Sequence, residues 1–183
     1  MKKNKVVVTG GAGFIGSHLC DFLIKKNYSV VAIDDLSSGN LKNLPKGVKF
    51  YNLDISKKST KLSKIFEGAK YVFHLAALAD IVPSIEDPYR YYEVNVTGTL
   101  NVLSACLNKD VKKIVYAASS SCYGIPSKFP TNENSKLIPQ YPYALTKMLG
   151  EQLVKHWGQV YKLKFTSLRL FNVYGTRSRT SGG

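Results

Sequence analysis

The chain has 183 residues, 44% of them hydrophobic and 21% charged, and its formal net charge is +14. This length suits one domain with a substantial core, and the apolar runs are too short to cross a bilayer. Lysines supply 22 of the 26 basic residues and are scattered along the chain, which favours a solvated surface and leaves a nucleic-acid-binding protein as the least favoured alternative.

Short β-rich runs alternate with longer helical patterns along the chain. The predicted strands, in chain order, are KVVVTG, YSVVAIDD, VKFYNLD, AKYVFHLAA, KKIVYAASS and KFTSLRLFNVYG. The predicted helices are GFIGSHLCDFLIKKN, STKLSKIFEG, the segment from Asp87 to Leu107, and YPYALTKMLGEQLVKHWGQVY. Strands that alternate with helices pair in parallel, and apolar β-branched strands suit a sheet covered on both faces. The sequence therefore predicts an α/β, doubly wound (Rossmann) parallel sheet with its ligand at the carboxyl ends of the strands.

A glycine-rich motif follows the first predicted strand. The stretch VVVTGGAGFIG places Gly10, Gly11, Gly13 and Gly16 after that strand and at the start of a helix. The tight turn needs the backbone freedom of glycine, and a pyrophosphate needs a backbone without Cβ atoms in its path. The helix N-terminus then offers N–H groups to phosphates. This placement predicts dinucleotide binding.

Acidic residues close the second and third predicted strands. A carboxylate at Asp34 accepts hydrogen bonds from the adenosine ribose and repels a 2′-phosphate, which favours NAD over NADP. No arginine lies nearby in the sequence to receive such a phosphate, although Lys42 keeps NADP open. Asp35 is either a helper or a loop residue. Asp54 either reaches the adenine amino group or caps the following helix.

The motif YALTK places Tyr143 and Lys147 four residues apart, on one face of a predicted helix. Tyrosine is a poor base at its reference pKa of about 10. A lysine ammonium and a cationic nicotinamide nearby would both lower the pKa of Tyr143. The fifth predicted strand ends in hydroxyls at Ser119, Ser120 and Ser121, one of which could share the proton or orient a substrate hydroxyl.

Eight motifs in this order carry a resemblance to a known family. They are TGGAGFIGSH, IDDLSSGN, NLDI, HLAA, NVTGTLNVL, ASSSCYG, YALTK and RLFNVYG. The chain resembles the extended short-chain dehydrogenases/reductases, and within them the NAD-dependent nucleotide-sugar epimerases and dehydratases typified by UDP-glucose 4-epimerase. The resemblance implies a sheet of six to seven strands, NAD as cofactor, and a catalytic group of Tyr143, Lys147 and Ser119.

The resemblance also implies roles for further residues. Asn95 matches the family's active-site asparagine beside the cofactor, and Lys147 contacts the cofactor as well. Ser120, Ser121 and Asn172 match positions near the substrate, and Phe171 lies near the nicotinamide. The remaining cofactor contacts that the motifs imply are Gly10, Gly13, Phe14, Ile15, Gly16, Asp34, Asp35, Asp54, Ile55, Leu75, Ala76 and Ala77.

Other polar and thiol residues are assigned weaker roles. His74 is read as a packed structural histidine rather than a catalytic one. Arg177 and Arg179 either touch a diphosphate or are solvated loop residues. The cysteines form no C-x-x-C pair, which indicates reduced thiols and no metal site; they are Cys20, Cys106 and Cys122. Glycines interrupt the apolar run near the N-terminus, so it is not read as a signal peptide, and we expect a cytoplasmic protein.

The predicted reaction is NAD-dependent epimerisation of a UDP-hexose at C4 through a transient 4-keto sugar. A dehydratase is less favoured because Ser120 and Ser121 stand where an acid–base pair would be needed. Related enzymes continue into a smaller substrate domain, whereas residues 1–183 cover the NAD-binding domain. A catalytically impaired NAD-binding module is therefore the main alternative. The resemblance further implies a homodimer through the two long helices.

Overall fold

The computed structural model of the chain describes residues 3–109 and 111–178. Within these residues, six strands pair in parallel to form one sheet with the order β3-β2-β1-β4-β5-β6. The bounds are β1 Lys5–Thr9, β2 Ser29–Asp34, β3 Lys49–Asn52, β4 Ala69–His74, β5 Lys113–Ser119 and β6 Lys164–Leu170. Each strand coincides with a predicted one, so the predicted α/β parallel sheet is confirmed.

Helices connect the strands on both faces of the sheet. Their bounds are α1 Phe14–Lys25, α2 Thr60–Phe66, α3 Ile81–Glu86, α4 Pro88–Tyr92, α5 Gly98–Leu107 and α6 Pro142–Tyr161. A π-helical turn over Glu93–Thr97 joins α4 to α5, so the helix predicted from Asp87 to Leu107 is one rod with an irregular middle. The short helix α3 was not predicted. No helix in the described part of the chain is long and apolar enough to span a membrane.

The core has two layers, one on each side of the sheet. Successive strand residues point to opposite faces, so Val7 packs in one layer while Val6 and Val8 pack in the other. Helix α1 covers the Val6 and Val8 layer through Cys20, and the helices α2, α5 and α6 cover the Val7 layer. The continuous β-branched strands are therefore explained by burial on both faces.

The strand order reverses between β1 and β4. The chain runs outward from β1 to β3, returns to lay β4 against the free side of β1, and continues outward to β6. The loops that follow β1 and β4 consequently diverge and leave a crevice at the carboxyl edge of the sheet, where open α/β sheets bind their ligands. Thr9 and His74 end these two strands in register with each other.

Candidate cofactor and catalytic site

The glycine-rich loop occupies this crevice. Gly10 has a φ of +70°, and a Cβ on it would lie 2.7 Å from the backbone nitrogen of Ala76. A Cβ on Gly16 would collide with the Gly10 carbonyl oxygen, so only glycine lets α1 approach the loop this closely. No side chain caps the N-terminus of α1 at Gly13, and no acidic residue lies in its first turn. The N–H groups of Gly10 and Gly11 donate to the Ile33 carbonyl, so it is the first turn of α1 that can offer backbone N–H groups to an anion.

The carboxylate of Asp34 closes β2 beside the glycine loop and is buried. Its Oδ2 accepts a hydrogen bond from the Ala12 N–H at 3.0 Å, and its Oδ1 accepts one from the Leu36 N–H at 2.9 Å. Burial raises the pKa of Asp34, while these backbone hydrogen bonds oppose that rise. Acceptor capacity remains on the carboxylate after these bonds are made. Asp34 is thus held by the backbone and still able to accept hydrogen bonds from a ligand.

This end of the cleft, called the adenosine end below, is lined by most of the predicted cofactor residues. Its lining includes Gly10, Gly13, Asp34, Asp35, Asp54, Ile55, Leu75, Ala76 and Ala77. Six further residues line it and were not predicted: Ile33, Ser37, Ser38, Leu53, Leu78 and Val94. The first four lie within the motifs IDDLSSGN and NLDI, whereas no motif distinguishes Leu78 and Val94 in the sequence.

Asp54 does not cap the helix that follows it. Helix α2 is capped by Ser59, whose side chain accepts from the Lys61 N–H at 3.1 Å. The Asp54 Oδ1 instead accepts from the Ser56 N–H at 2.8 Å in a tight turn. The alternative of a helix cap is therefore wrong for Asp54, and its carboxylate remains on the wall of the cleft.

An arginine that was not predicted lies behind this wall. Arg90 Nη2 donates to Asp54 Oδ2 at 3.2 Å and lies 3.9 Å from Asp35 Oδ2. No arginine lies near Asp34 in the sequence, as stated above, but the fold brings Arg90 to the adenosine end. The parallel sheet order brings α4 next to the loops after β2 and β3, which no local pattern indicates.

The second end of the cleft, called the catalytic end below, contains the predicted tyrosine, lysine and serine. The Tyr143 hydroxyl donates to Ser119 Oγ at 3.3 Å, and the Ser121 N–H donates to the same oxygen at 3.1 Å. Lys147 lies one helical turn after Tyr143 in α6 and lines the same cleft. Leu75 and Ala77 border both ends, so the two form one continuous groove.

The remaining predicted residues divide between this end and its surroundings. Those that line the catalytic end are Phe14, Ile15, Ser120, Ser121, Phe171 and Asn172. Asn95 lies beside the groove: its amide donates to the Leu78 carbonyl and to Thr146 Oγ1, and its oxygen accepts from the Leu78 N–H. The structure therefore places Asn95 as a link between the loop after β4 and α6.

Burial dominates the protonation of the tyrosine and the lysine. It raises the pKa of Tyr143, and the hydrogen bond with Ser119 only partly opposes this rise. In the chain alone the pKa of Tyr143 is therefore raised, and the lowering expected from Lys147 together with a cationic nicotinamide stays a prediction. Burial also lowers the pKa of Lys147 to about 8, so its ammonium remains the main form at neutral pH.

The Lys147 ammonium has aromatic rather than anionic surroundings. Its Nζ lies 4.5 Å from the centroid of the Tyr116 ring, a cation–π contact. Among the residues that the structure describes, none accepts a hydrogen bond from this Nζ. A buried ammonium with free donors next to a groove can bind the hydroxyl oxygens of a ligand.

His74 lies in a buried network behind the groove. Its Nδ1 lies 2.7 Å from Thr9 Oγ1, and its Nε2 lies 2.9 Å from Thr99 Oγ1. The Thr99 hydroxyl donates its hydrogen to the Asn95 carbonyl at 2.6 Å. Because it has no second hydrogen, it must accept the hydrogen bond from His74 Nε2, so the neutral His74 ring carries its proton on Nε2. Burial lowers the pKa of His74 to about 3, and the Lys147 charge adds to this. These contacts agree with the structural role expected for His74.

A second arginine that was not predicted supports the catalytic end. Arg169 on β6 donates to both carboxylate oxygens of the buried Glu151 on α6, at 2.9 and 3.0 Å. Its Nη1 donates to the Tyr123 hydroxyl and to the Glu133 carbonyl, both at 2.9 Å. One side chain thus ties β6 to α6 and to the segment after β5.

The two C-terminal arginines have different outcomes. Arg177 forms an ion pair with Asp21 of α1 at 2.8 Å. Arg179 lies outside the described residues. In the described part of the chain, no group of three or more histidine, cysteine or acidic side chains could hold a metal ion, and the three cysteines are buried free thiols.

A doubly wound parallel sheet, a glycine-rich loop at its switch point and a carboxylate at the end of β2 define an NAD-binding Rossmann protein. The model of the NAD dependent epimerase/dehydratase family matches residues 6–183. The chain belongs to this family, and its cofactor is NAD.

Individual relatives agree with this assignment. The chain is 39% identical over 178 residues to a putative UDP-glucose 4-epimerase of Methanocaldococcus jannaschii, covering 97% of this chain. It superposes with a TM-score of 0.94 and 38% identity on the Thermotoga maritima UDP-glucose 4-epimerase with UDP-glucose, covering 97% of this chain. The Thermus thermophilus UDP-glucose 4-epimerase in complex with NAD gives a TM-score of 0.91 at 39% identity and the same coverage.

The chain spans little more than half the length of these relatives. It covers 58% of the Methanocaldococcus protein, 59% of the Thermotoga chain and 58% of the Thermus chain. In each case the match covers 97% of this chain. The similarity therefore bears directly on the cofactor site, whereas the activity of the whole protein is a matter for proposal.

Proposed function

We propose that this chain contains the cofactor and catalytic site of a UDP-sugar 4-epimerase that works through a 4-keto sugar. The observation that carries the proposal is the 3.3 Å hydrogen bond between Tyr143 and Ser119, with Lys147 one turn away in the same groove as Asp34. Residues 1–183 act as the NAD-binding domain of that enzyme. The Thermotoga maritima relative crystallised with UDP-glucose supports a UDP-linked substrate.

The residues of the groove fit the cofactor. The uncapped first turn of α1 faces the diphosphate, Asp34 accepts from the adenosine ribose, and Asp54 accepts from the adenine amino group. The free donors of Lys147 bind the hydroxyls of the nicotinamide ribose. Bound there, NAD would supply the acceptor and the donor of the hydride at C4 of the sugar.

The catalytic residues handle the proton of the sugar 4-hydroxyl. Tyr143 removes this proton as the 4-keto sugar forms and returns it afterwards. In the phenolate form that accepts this proton, Tyr143 no longer donates to Ser119, so Ser119 Oγ keeps the hydrogen bond from the Ser121 N–H and can donate its own hydrogen to the substrate oxygen. The positive charge of the nicotinamide lowers the pKa of Tyr143, which burial alone raises. Ser120, Ser121 and Asn172 contact the sugar or its diphosphate.

The structure also bears on the alternatives. A dehydratase needs an acid and a base next to the catalytic hydroxyl, and the groove has Ser120 and Ser121 there. The impaired NAD-binding module differs from the epimerase only in lacking turnover, because it keeps the same adenosine end. We further propose a cytoplasmic homodimer through the rod Pro88–Leu107 and α6, whose outer faces expose Leu100 and Val160.

The decisive experiment supplies NAD and UDP-glucose to the chain and measures UDP-galactose by chromatography. We expect interconversion in both directions and its loss in Tyr143→Phe, while NAD affinity stays within about threefold of the wild type. Formation of a dehydrated 4-keto sugar would instead identify a dehydratase. Tight NAD binding without any turnover of UDP-sugars would identify the impaired module, and activity unchanged in Tyr143→Phe would overturn the catalytic assignment.

A further inference from the structure

The backbone of Arg90 lies in the first turn of α4, at the start of the rod Pro88–Leu107. Its backbone N–H donates to Asp87 Oδ1 at 3.1 Å, and Pro88 occupies the first helical turn. A proline at this position and a capping aspartate both favour a well-defined helix start. The direction in which the Arg90 side chain leaves the helix is therefore defined.

The guanidinium of Arg90 bridges three segments of the chain. Its Nη2 faces Asp54 Oδ2 at 3.2 Å and Asp35 Oδ2 at 3.9 Å, which lie on the loops after β3 and β2. Its Nη1 donates to Glu93 Oε2 and to Ser56 Oγ, both at 3.4 Å. The planar fork of arginine can serve several acceptors at once, which a lysine ammonium cannot do with the same geometry.

Arg90 itself does not line the adenosine end, whereas Asp35 and Asp54 do. Any influence on a bound nucleotide must therefore pass through these two carboxylates. Without the guanidinium between them they would repel each other, and the loops after β2 and β3 would lose their common partner. We propose that Arg90 is a positioning residue that orients Asp54 toward the adenine amino group, and so sets both the affinity for NAD and the selectivity for adenine.

The hydrogen bonds of Asp54 support this role. Oδ1 accepts from the Ser56 N–H at 2.8 Å and Oδ2 accepts from Arg90, so the carboxylate plane is fixed from both sides. Acceptor positions remain for the amino group of a base. Burial raises the pKa of Asp54, but the hydrogen bonds from Ser56 and Arg90 outweigh it and keep the pKa below its usual value. Asp54 thus stays a charged acceptor.

The test compares two intact dinucleotides by titration calorimetry. NAD has an amino group on C6 of its adenine, and nicotinamide hypoxanthine dinucleotide has a carbonyl oxygen on C6 in its place. The variant is Arg90→Gln. The matched control is Lys57→Gln, which also removes one positive charge from the cluster. Among the described residues Lys57 pairs only with Glu93, at 3.4 Å, and its side chain is 63% exposed.

We expect the wild type to prefer NAD by about tenfold, as a hydrogen bond to a charged group would give. Arg90→Gln should lower the affinity for NAD by about tenfold and leave the affinity for the hypoxanthine dinucleotide within about twofold of the wild type. The preference for NAD then disappears. Lys57→Gln should leave both affinities within twofold. Three outcomes would each overturn the proposal. Arg90→Gln could weaken the binding of both dinucleotides equally, it could have the same effect as Lys57→Gln, or it could leave the preference for NAD unchanged.

This inference rests on the proposed contact between Asp54 and adenine, and the same titration separates the two. A wild type that binds NAD without preferring it over the hypoxanthine dinucleotide would remove that contact and the role of Arg90 with it, while leaving the proposed epimerase intact. If Arg90→Gln does not fold, as judged by circular dichroism, Arg90→Lys takes its place. It retains the charge without the fork, so the adenine preference should still be lost, and a preference like that of the wild type would overturn the proposal.

Discussion

At the adenosine end of the groove, Asp34, Asp35 and Asp54 each accept hydrogen bonds from the chain itself. At the catalytic end, Lys147 has a tyrosine ring and no acceptor among the described residues. The walls of the two ends also differ, because the segment after β6 that borders the catalytic end is exposed to solvent. Phe171 in this segment is 63% exposed. The adenosine end is thus assembled by contacts within the chain, whereas the catalytic end keeps groups that only a ligand can satisfy.

This difference implies that the two ends can be perturbed separately. Substitutions at the adenosine end should reduce both stability and NAD affinity, because the same contacts support the fold and the ligand. Substitutions of groups at the catalytic end that lack partners should leave stability unchanged or increase it. Residues that only support the catalytic end should reduce stability without affecting NAD. The predictions below test this separation, from the largest expected effect to the smallest.

The largest effect is expected at the ion pair that supports the catalytic end. Arg169→Met leaves Glu151, which is buried, with only Lys155 as a charged partner, at 2.7 Å. Loss of one member of a buried pair costs about 3–5 kcal/mol, which urea unfolding would measure. Lys155→Met is the control, because its side chain is 37% exposed and such a pair contributes less than about 1 kcal/mol. A parallel loss of NAD affinity in Arg169→Met would contradict the independence of the two ends.

The next largest effect is expected in the glycine loop of the adenosine end. Gly10 and Gly68 have nearly the same φ, +70° and +69°, but no heavy atom lies within 4 Å of a Cβ on Gly68. Alanine at either site costs about 1–2 kcal/mol for the left-handed backbone. Gly10→Ala adds about 1–3 kcal/mol because its methyl meets the Ala76 backbone.

The same pair distinguishes the ligand site from the fold. NAD titration should show at least a tenfold loss of affinity for Gly10→Ala, because the loop must move to admit the methyl group. Gly68→Ala should bind NAD like the wild type once its smaller stability loss is taken into account. Equal stability losses in the two variants would show that crowding at Gly10 is relieved without cost.

The sequence predicted the parts of this molecule that depend on local patterns. The strand–helix alternation, the glycine loop after β1 and the acid that ends β2 all follow from periodicity and spacing over a few residues. Arg90 and Arg169 escaped prediction because their partners are brought to them by the order of the strands. The raised pKa of Tyr143 in the chain alone was not predicted because burial, its main cause, cannot be read from spacing. The roles of the individual site residues remain predictions.

A pH-dependent effect is expected at His74, which lies between the two ends. Burial lowers its pKa to about 3, against about 6.5 in the unfolded chain. The unfolded state therefore binds the proton first, so the stability contributed by neutral His74 is complete above pH 6.5 and falls as the pH drops toward 3. At pH 5 the loss is roughly 2 kcal/mol. Urea midpoints of His74→Asn should vary less between pH 7 and 5 than those of the wild type; parallel curves would contradict this.

The smallest predicted effect has the opposite sign and lies at the catalytic end. Burial lowers the pKa of Lys147 to about 8, from about 10.5 in the unfolded chain, so the buried ammonium opposes folding below pH 8. The contact with the Tyr116 ring offsets part of this cost. Lys147→Met should therefore raise the free energy of unfolding by about 1–2 kcal/mol at pH 7, and the gain should shrink as the pH rises from 8 to 10.5.

Saturating NAD should reverse the order of these two proteins. In the wild type the ligand supplies the acceptors that the Lys147 ammonium lacks, so NAD should stabilise it more than it stabilises Lys147→Met. Thermal unfolding with and without NAD, at the same free NAD concentration for both proteins, would measure the two shifts. An equal shift in both proteins would mean that the Lys147 ammonium makes no contact with the cofactor. The contrast between an adenosine end held by contacts within the chain and a catalytic end that depends on its ligand would then be wrong for Lys147, the residue that chiefly supports it.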